Sequence, residues 1–369
     1  MPDRIISFAP ATVGNAGPCY DIIGYALNDI GDFVEVEKVE LSKDMLLWNE
    51  IIEGSAASQL KGVKYTDNSA WIAANRILKR RWNPKKREFS LRMTLHKYLP
   101  VGSGIGSSAA SAVAGVKAVV EMLQINLPQT EIIESLELAE EATSGTGYPD
   151  NLVPSYFGGL FLINESDISN GFKHGGKRYI NIDGGQSMIS VIVRPNVPLM
   201  IGKTGIARTA VRNYVYHQYI DPKYIDPDPE QAAINILNLV MKQSAKSAEL
   251  LIQYTRNDIA RFGAIMRDNP LLEGARSHLV PSFSKVKQAA MEAGSYGCTI
   301  SGAGPAIVAI TDLNETAIQI RDSMRRAFEP TQTQWLISRV NYKGASVINS
   351  IEQFIHEARS SNNFYDSVK

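Results

Sequence analysis

Cysteine is scarce in this sequence, and so are several features that mark secreted, membrane-spanning or metal-stabilised chains. The 369 residues contain two cysteines, Cys19 and Cys298, and no C-x-x-C pair, which argues against a disulfide framework or a zinc site. No apolar run approaches the ~18 residues of a membrane span. The first residues lack the basic and apolar regions of a signal peptide. We therefore expect a cytoplasmic protein with two reduced thiols and no membrane partner.

An excess of positive charge is also absent. Lysine and arginine number 38, as do aspartate and glutamate. A surface for nucleic acid or an anionic membrane needs a basic excess, so neither partner is expected. A small local anion pocket remains compatible with this balance.

The order of predicted elements favours an α+β protein of two domains. Helical spacing over 68–81 and strand alternation over 89–95 occur without a regular βα repeat. Prolines at 195 and 198 suggest a boundary there, which gives domains 1–195 and 196–369. The segment 211–230 reads as a proline-containing insertion with a loop, and the polar tail 360–369 is expected to fray.

A glycine- and serine-rich loop from Pro100 to Ser111 is the strongest chemical motif. Gly102, Gly104 and Gly106 alternate just before a predicted buried helix over 109–123. Glycine allows the backbone to approach an anion with positive φ, and the first turn of a helix offers unpaired N–H groups. The loop lacks the lysine of a Walker A motif and is not G-x-G-x-x-G. The alternative is a glycine turn that only caps a helix.

Three further loops carry polar groups of possible chemical use. Residues 10–21 contain Asn15 and Asp21, and a glycine turn over 301–305 lies between two predicted strands. Residues 145–151 follow the acidic pair Glu140-Glu141. One of those two carboxylates suits magnesium, a hard cation that prefers oxygen ligands. The alternative for that pair is two solvated charges at a helix end, and for 301–305 a structural hairpin.

Taken in order, these loops resemble the motifs of the GHMP kinase superfamily. The run from Pro100 is similar to its P-G-x-G-L-G-S-S-A signature, 9–21 to its N-terminal motif, and 297–310 to its C-terminal glycine motif. Within that superfamily the chain resembles the homoserine kinase family. Thr204 to Arg208 is similar to that family's T-x-x-A-R, and 150–154 to its D-N-V-A-P.

The resemblance implies a fold and an activity. The N-terminal domain would be of the ribosomal protein S5 domain 2-like type and the C-terminal domain ferredoxin-like, with the active site in the cleft between them. The chain would use ATP and Mg²⁺ to phosphorylate the side-chain hydroxyl of L-homoserine in threonine biosynthesis. Relatives are often dimers, so a homodimer is a further expectation.

The resemblance also implies roles for individual residues. Magnesium would be held by Ser108 and Glu140, and catalysis would involve Asn15, Asn151 and Thr204. Residues expected to bind the amino acid are Asn15, Asp21, Tyr148, Asp150, Arg208, Arg276 and Gly302. Residues expected to bind ATP are Asn68, near the adenine, and Pro100, Val101, Gly102, Ser103, Gly104, Ile105, Gly106, Ser107, Ser108, Ala109 and Ser111.

Asn151 bears on the mechanism. Several superfamily members place an aspartate base there, whereas homoserine kinases have asparagine. Phosphoryl transfer depends mainly on alignment and charge stabilisation, so the resemblance implies direct transfer without a dedicated protein base. A mevalonate-type kinase would need aspartate at this position.

Some positions depart from the family pattern. Tyr148 stands where the family usually has histidine, Cys19 replaces a glycine, and 340–346 lacks a glutamine and an arginine. A kinase of L-threonine or another hydroxy-amino acid is therefore an alternative. A non-catalytic binding protein of this fold is another, although it should have lost Ser108, Glu140 and the loop glycines.

Overall fold

The computed structural model describes residues 2–49, 53–145, 147, 149–165, 177–198, 202–221 and 229–366. The chain forms two compact units. The first comprises Met1–Gly14, Gly24–Asn181 and Val340–Lys369, and the second comprises Asn15–Ile23 and Ile182–Arg339. Because the units interleave along the chain, a single cut near residue 195 separates most of their residues but not all.

The strands of the described residues belong to two sheets, one in each unit. In chain order they are β1 (Arg4–Gly14), β2 (Ile23–Val39), β3 (Leu46–Trp48), β4 (Ser90–His96), β5 (Leu160–Glu165), β6 (Lys177–Ile182), β7 (Ile189–Pro195), β8 (Gly297–Ile300), β9 (Ile307–Thr311), β10 (Thr333–Arg339) and β11 (Ser346–Ile348).

Helices separate and follow these strands without a repeating βα order. They are α1 (Ser69–Arg81), α2 (Ser107–Leu123), α3 (Gln129–Ser144), α4 (Pro149–Phe157), α5 (Lys203–Tyr219), α6 (Pro229–Thr255), α7 (Ile259–Met266), α8 (Pro270–Arg276), α9 (Phe283–Glu292), α10 (Asn314–Phe328) and α11 (Ile351–Ala358). The mixed arrangement confirms the predicted α+β class.

The first unit is built on a seven-stranded sheet in which β1 lies between β11 and β2. β2 also pairs antiparallel with β4, and β3 adds to β4 as a parallel edge strand. The small residues of α2 let it pack closely against β1 and α1. At Gly115 a Cβ atom would stand 2.6 Å from the carbonyl oxygen of Ala70. This close packing fixes the N-terminal end of α2, where the glycine loop ends.

The second unit contains a four-stranded antiparallel sheet in the order β10-β7-β9-β8. Alternate residues of β7 and β9 point into one apolar core, which α9 and α10 cover. The core includes Val191, Val193, Ile307, Ala309, Val286 and Ile320.

Two expectations about irregular segments are wrong in part. Residues 211–219 are helical, because α5 continues to Tyr219 with Val211 buried, and 222–228 lie outside the described residues. The tail is buried or half-buried over 361–365. Phe364 and Tyr365 are buried, and the Tyr365 hydroxyl accepts a hydrogen bond from the Gly31 amide at 3.0 Å. Burial of these two aromatic side chains holds the tail against the protein although most of its residues are polar. Residues 367–369 are outside the described part.

No helix in the described ranges combines the length and hydropathy that a membrane crossing requires.

Candidate active site

The glycine loop of the first unit has the backbone conformation that an anion-binding turn needs. Gly102, Gly104 and Gly106 all have positive φ angles, of 64°, 87° and 67°. A Cβ atom at Gly106 would stand 2.0 Å from the Thr12 Oγ1 atom. Glycine is therefore required at Gly106 by conformation and by space together.

Short hydrogen bonds hold this loop in place. The Val101 amide donates to Gln59 Oε1 at 2.8 Å, and the Ser107 hydroxyl donates to the Leu99 carbonyl at 3.0 Å. Helix α2 begins at Ser107 with Gly106 as its N-cap and no side-chain cap. The first amides of any helix lack intrahelical acceptors, and here no side chain of the N-cap replaces them, which is the property that makes a helix N-terminus an anion site.

A buried ion pair under the loop was not predicted from the sequence. Lys97 is 2% exposed and Asp32 is not exposed at all. The Lys97 Nζ atom donates to Asp32, to the Ser107 carbonyl at 2.9 Å and to Ser111 Oγ at 2.8 Å. Asp32 Oδ1 accepts from the amides of Tyr98 and Leu99, both at 2.9 Å. The pair thus ties the residues before the loop to the start of α2.

Burial lowers the pKa of Lys97, while the Asp32 carboxylate acts in the opposite direction. Asp32 was not singled out from the sequence, and it lies in β2 among buried residues. The signal that could have identified it is a lysine three residues before the glycine loop. Ser111, predicted to contact ATP, donates its hydroxyl hydrogen to Asp32 Oδ2 at 2.7 Å.

Asn151 lies beside the end of the glycine loop. Its Oδ1 atom accepts from the Thr12 hydroxyl at 2.8 Å and stands 3.2 Å from the position of a Gly106 Cβ atom. Its Nδ2 atom donates to Asp150 Oδ1 at 3.2 Å. Asp150 is 1% exposed, and a Cβ atom at Gly14 would stand 2.5 Å from its Oδ2 atom. The structure therefore brings Asp150 and Asn151 together with Gly106.

Ser108 and Glu140, the predicted metal ligands, also lie together. The Ser108 hydroxyl forms a hydrogen bond with the Glu140 carboxylate. Burial raises the pKa of Glu140, while the Ser108 bond and the Lys97 charge act in the opposite direction. Across the described ranges no group of three histidine, cysteine or acidic residues could hold a metal. One carboxylate and one hydroxyl nevertheless fit Mg²⁺, which keeps waters and phosphate oxygens as its other ligands.

Two further predicted residues of the first unit have different outcomes. Asn68 is the N-cap of α1, and its Oδ1 atom accepts from the Ala70 amide at 3.0 Å. That bond uses the side-chain oxygen of Asn68 to cap the helix. The contact of Asn68 with adenine stays a prediction. Tyr148 lies outside the described residues.

The second unit contains a carboxylate paired with a guanidinium, and both residues were predicted to bind the amino-acid substrate. Arg208 donates through Nη1 to Asp21 Oδ2 at 2.9 Å and through Nη2 to Oδ1 at 3.3 Å. Asn15 Oδ1 accepts from the Asp21 amide at 2.8 Å. Burial raises the pKa of Asp21, against the charges of Arg208 and Arg276 and a Tyr20 hydrogen bond.

Arg276 joins this set to the C-terminal glycine turn. It is 2% exposed, and its guanidinium lies 5.2 Å from the centre of the Tyr20 ring. Its Nε atom donates to the Ala207 carbonyl at 3.2 Å, and its Nη1 atom donates to the Gly302 carbonyl at 3.0 Å. Thr204 lies one turn before Arg208 on α5, and positions four apart share a helix face.

These features define a class of protein. The first unit carries a glycine loop and helix terminus suited to nucleotide phosphates, with a carboxylate and a hydroxyl suited to their cation. The second unit carries an acid and two arginines suited to a small charged molecule. A phosphate cradle combined with such a set is characteristic of small-molecule kinases.

Comparisons with known proteins identify the family. Residues 68–159 match the family model of the GHMP kinases N terminal domain, and residues 247–330 match that of the GHMP kinases C terminal domain. A homoserine kinase of Pyrococcus abyssi is 30% identical over 329 residues, which cover 89% of this chain and 93% of that protein. A homoserine kinase of Chlorobium phaeobacteroides is 28% identical over 354 residues, which cover 93% of this chain and 99% of that protein.

A solved structure supports the same family. The crystal structure of a homoserine kinase from Cytophaga hutchinsonii matches with a TM-score of 0.75 and 29% identity, covering 94% of this chain and 98% of that one. The chain therefore belongs to the GHMP kinase family, whose members are ATP-dependent kinases, and its matched relatives named above are homoserine kinases. The predicted family and the predicted kinase activity are confirmed.

Proposed function

We propose that this kinase transfers the terminal phosphoryl group of ATP to the side-chain hydroxyl of L-homoserine, giving O-phospho-L-homoserine for threonine biosynthesis. The observation that carries the proposal is the bidentate Asp21–Arg208 pair with Arg276 charged nearby. The homoserine kinases that match most of the chain support the same substrate.

The Asp21–Arg208 pair is complementary to the two charges of an α-amino acid. A carboxylate can accept from the fork of Arg208, while the neighbouring ammonium donates to Asp21. Arg276 adds positive charge on the carboxylate side, so that one zwitterion satisfies the whole set. A hydroxyl-bearing molecule without an ammonium would leave Asp21 without this partner, which is unfavourable in a largely buried position.

On the nucleotide side, the loop amides and the N-terminus of α2 would hold the phosphates. Ser108 and Glu140 would hold Mg²⁺, which supplies charge neutralisation for the phosphate oxygens when it is bound. Lys97 and Asp32 would keep the loop in its anion-binding conformation. Electrostatic stabilisation of this kind is the main requirement of phosphoryl transfer.

Asn151 cannot act as a general base, because its amide has no proton-accepting nitrogen and stays neutral. Its Oδ1 accepts from Thr12 and its Nδ2 donates to Asp150. We therefore infer that Asn151 orients these two side chains. Asn15 and Thr204 would contact the acceptor and the transferred phosphoryl group, and no protein base is needed.

The test is release of ADP by the full-length chain with L-homoserine, L-threonine or mevalonate, each with and without magnesium. We expect magnesium-dependent turnover that is fastest with L-homoserine. Faster turnover of L-threonine would favour the alternative hydroxy-amino acid, since the Asp21, Arg208 and Arg276 set suits both. Turnover of none of the three would overturn the proposal.

A further inference from the structure

Lys203 is a buried lysine whose charge nothing in the described residues balances. It is the first residue of α5 and is 8% exposed. Its ammonium group donates no hydrogen bond and forms no ion pair across the described ranges. The Nζ atom lies 3.9 Å from the position of a Cβ atom on Gly304. Lys203 therefore lies beside the same glycine turn whose Gly302 carbonyl accepts a hydrogen bond from Arg276.

Arg194 is a second buried cation near Lys203. It is 7% exposed, and its Nη1 atom donates only to neutral partners, Gln334 Oε1 at 2.9 Å and Asn196 Oδ1 at 3.4 Å. Its Nε atom is buried with no partner among the described residues. Burial and the positive charge of Arg194 together lower the pKa of Lys203 to about 7.

The N-terminus of α5 adds positive potential at the same place. Helix α5 is 17 residues long, and its N-cap, Gly202, has a φ of 70° and provides no side-chain cap. In the described part of the chain, the amides of Lys203, Thr204 and Gly205 have no acceptor. Side chains on a helix lean toward its N-terminus, and Lys203 is the first residue of α5.

Two buried cations beside an uncapped helix terminus are unfavourable without an anion. Burying one unpaired charge is costly, and a like charge nearby adds to the cost. A tetrahedral oxyanion removes that cost, because its oxygens accept from an ammonium, a guanidinium and helix amides at once.

We propose that Lys203, Arg194 and the first turn of α5 form an anion site that binds the phosphoryl group of the phosphorylated product. The proposal rests on the function proposed above. The Gly302–Gly304 turn links this site to Arg276, one of the groups assigned to the amino-acid carboxylate. A phosphorylated amino acid has both charges in one molecule, so it can bind Arg276 and Lys203 together.

The experiment is calorimetric titration of the full-length protein with inorganic phosphate, O-phospho-L-homoserine, L-homoserine and ATP. Lys203→Met removes the charge and keeps the length of the stem, Lys203→Arg keeps the charge, and Lys285→Met removes an exposed lysine of the same unit. We expect Lys203→Met to weaken binding of inorganic phosphate and O-phospho-L-homoserine at least about tenfold, the effect of losing a charged hydrogen bond. Binding of L-homoserine and ATP should stay within about twofold, and Lys203→Arg should restore binding of both phosphates.

Unchanged phosphate binding in Lys203→Met would overturn the proposal, and so would a loss confined to ATP or an equal loss in Lys285→Met. The inorganic phosphate measurement needs no turnover. It therefore supports or rejects the anion site even if L-homoserine is not the substrate, which keeps the two failures distinguishable. Circular dichroism of each variant checks that the fold is retained.

Discussion

Arg208 donates hydrogen bonds to both carboxylate oxygens of Asp21, with Nη1 at 2.9 Å from Oδ2 and Nη2 at 3.3 Å from Oδ1. The two side chains are 13% and 12% exposed. Sequence motifs assigned these residues to opposite ends of one substrate, and the structure pairs them with each other. In the proposed function, a zwitterion that binds there would exchange this internal pair for two complementary ones. Recognition would then depend on both charges of the pair.

Arg208→Leu should raise KM for the amino acid at least about tenfold, because the carboxylate loses a bidentate donor and Asp21 loses its partner. KM for ATP should stay within about twofold, since the glycine loop belongs to the other unit. Steady-state kinetics with each substrate varied in turn measures both values. Arg212→Leu, an exposed arginine one turn further along α5, is the control and should change neither. An equal rise in both KM values would contradict the assigned role.

Gly106→Ala should abolish measurable ATP binding, because the new methyl group meets Thr12 Oγ1 at 2.0 Å in addition to the strain of a positive φ. Gly145→Ala is a matched control, with a φ of 79° and no atom within 4 Å of the new methyl group. It carries only the conformational cost of roughly 1–2 kcal/mol. Nucleotide titration and thermal unfolding of both variants separate the two effects. Normal ATP affinity in Gly106→Ala would contradict the assignment of the glycine loop to the phosphates of ATP.

Lys97→Met should lower the free energy of unfolding by about 3–5 kcal/mol, because it leaves Asp32 as an unpaired buried charge. Adding Asp32→Asn to it should recover part of the loss. The control is Lys117→Met on α2, whose Nζ atom pairs with Glu121 at 2.7 Å in a more exposed position. That variant should cost less than about 1 kcal/mol. Urea unfolding gives the free energy of unfolding of all three variants. Equal losses in Lys97→Met and Lys117→Met would argue against a stabilising role for the buried Lys97–Asp32 ion pair.

Sulfate affinity should fall as pH rises from 6 to 8.5. The pKa of Lys203 in the folded protein is about 7, below the ~10.4 of an exposed lysine, so its charge is present below pH 7 and is lost above it. Sulfate keeps its own charge across this range, and Arg194 stays protonated. Lys203→Arg should bind sulfate equally at both ends of the range. A wild-type affinity that does not change with pH would contradict this account of Lys203.

The sequence predicted the backbone conformation of the glycine loop, because glycine spacing reflects a conformational requirement directly, and the loop's motif indicated the family. Gly102, Gly104 and Gly106 adopt the positive φ angles that their spacing indicated. The buried helix after them also formed, beginning at Ser107. Both features depend on local chain geometry.

Features that depend on long-range packing were missed. Asp32 is a charged residue of β2 close in sequence to Glu35 and Glu37, and only the return of the chain at Lys97 shows that it is buried with a partner. Lys203 reads as an ordinary charge at a helix start, and its environment comes from Arg194 and the turn at Gly304, which are distant in sequence. Phe364 and Tyr365 are buried within the first unit although their segment is polar.

The most direct measurement compares kcat/KM for L-homoserine with that for two analogues that each lack one charge, 4-hydroxybutyrate without the ammonium and 3-amino-1-propanol without the carboxylate. All three offer a primary hydroxyl. We predict efficient magnesium-dependent phosphorylation of L-homoserine and a loss of at least about 100-fold for each analogue, because each leaves a buried polar group unpaired. Comparable turnover of either analogue would contradict recognition through Asp21, Arg208 and Arg276.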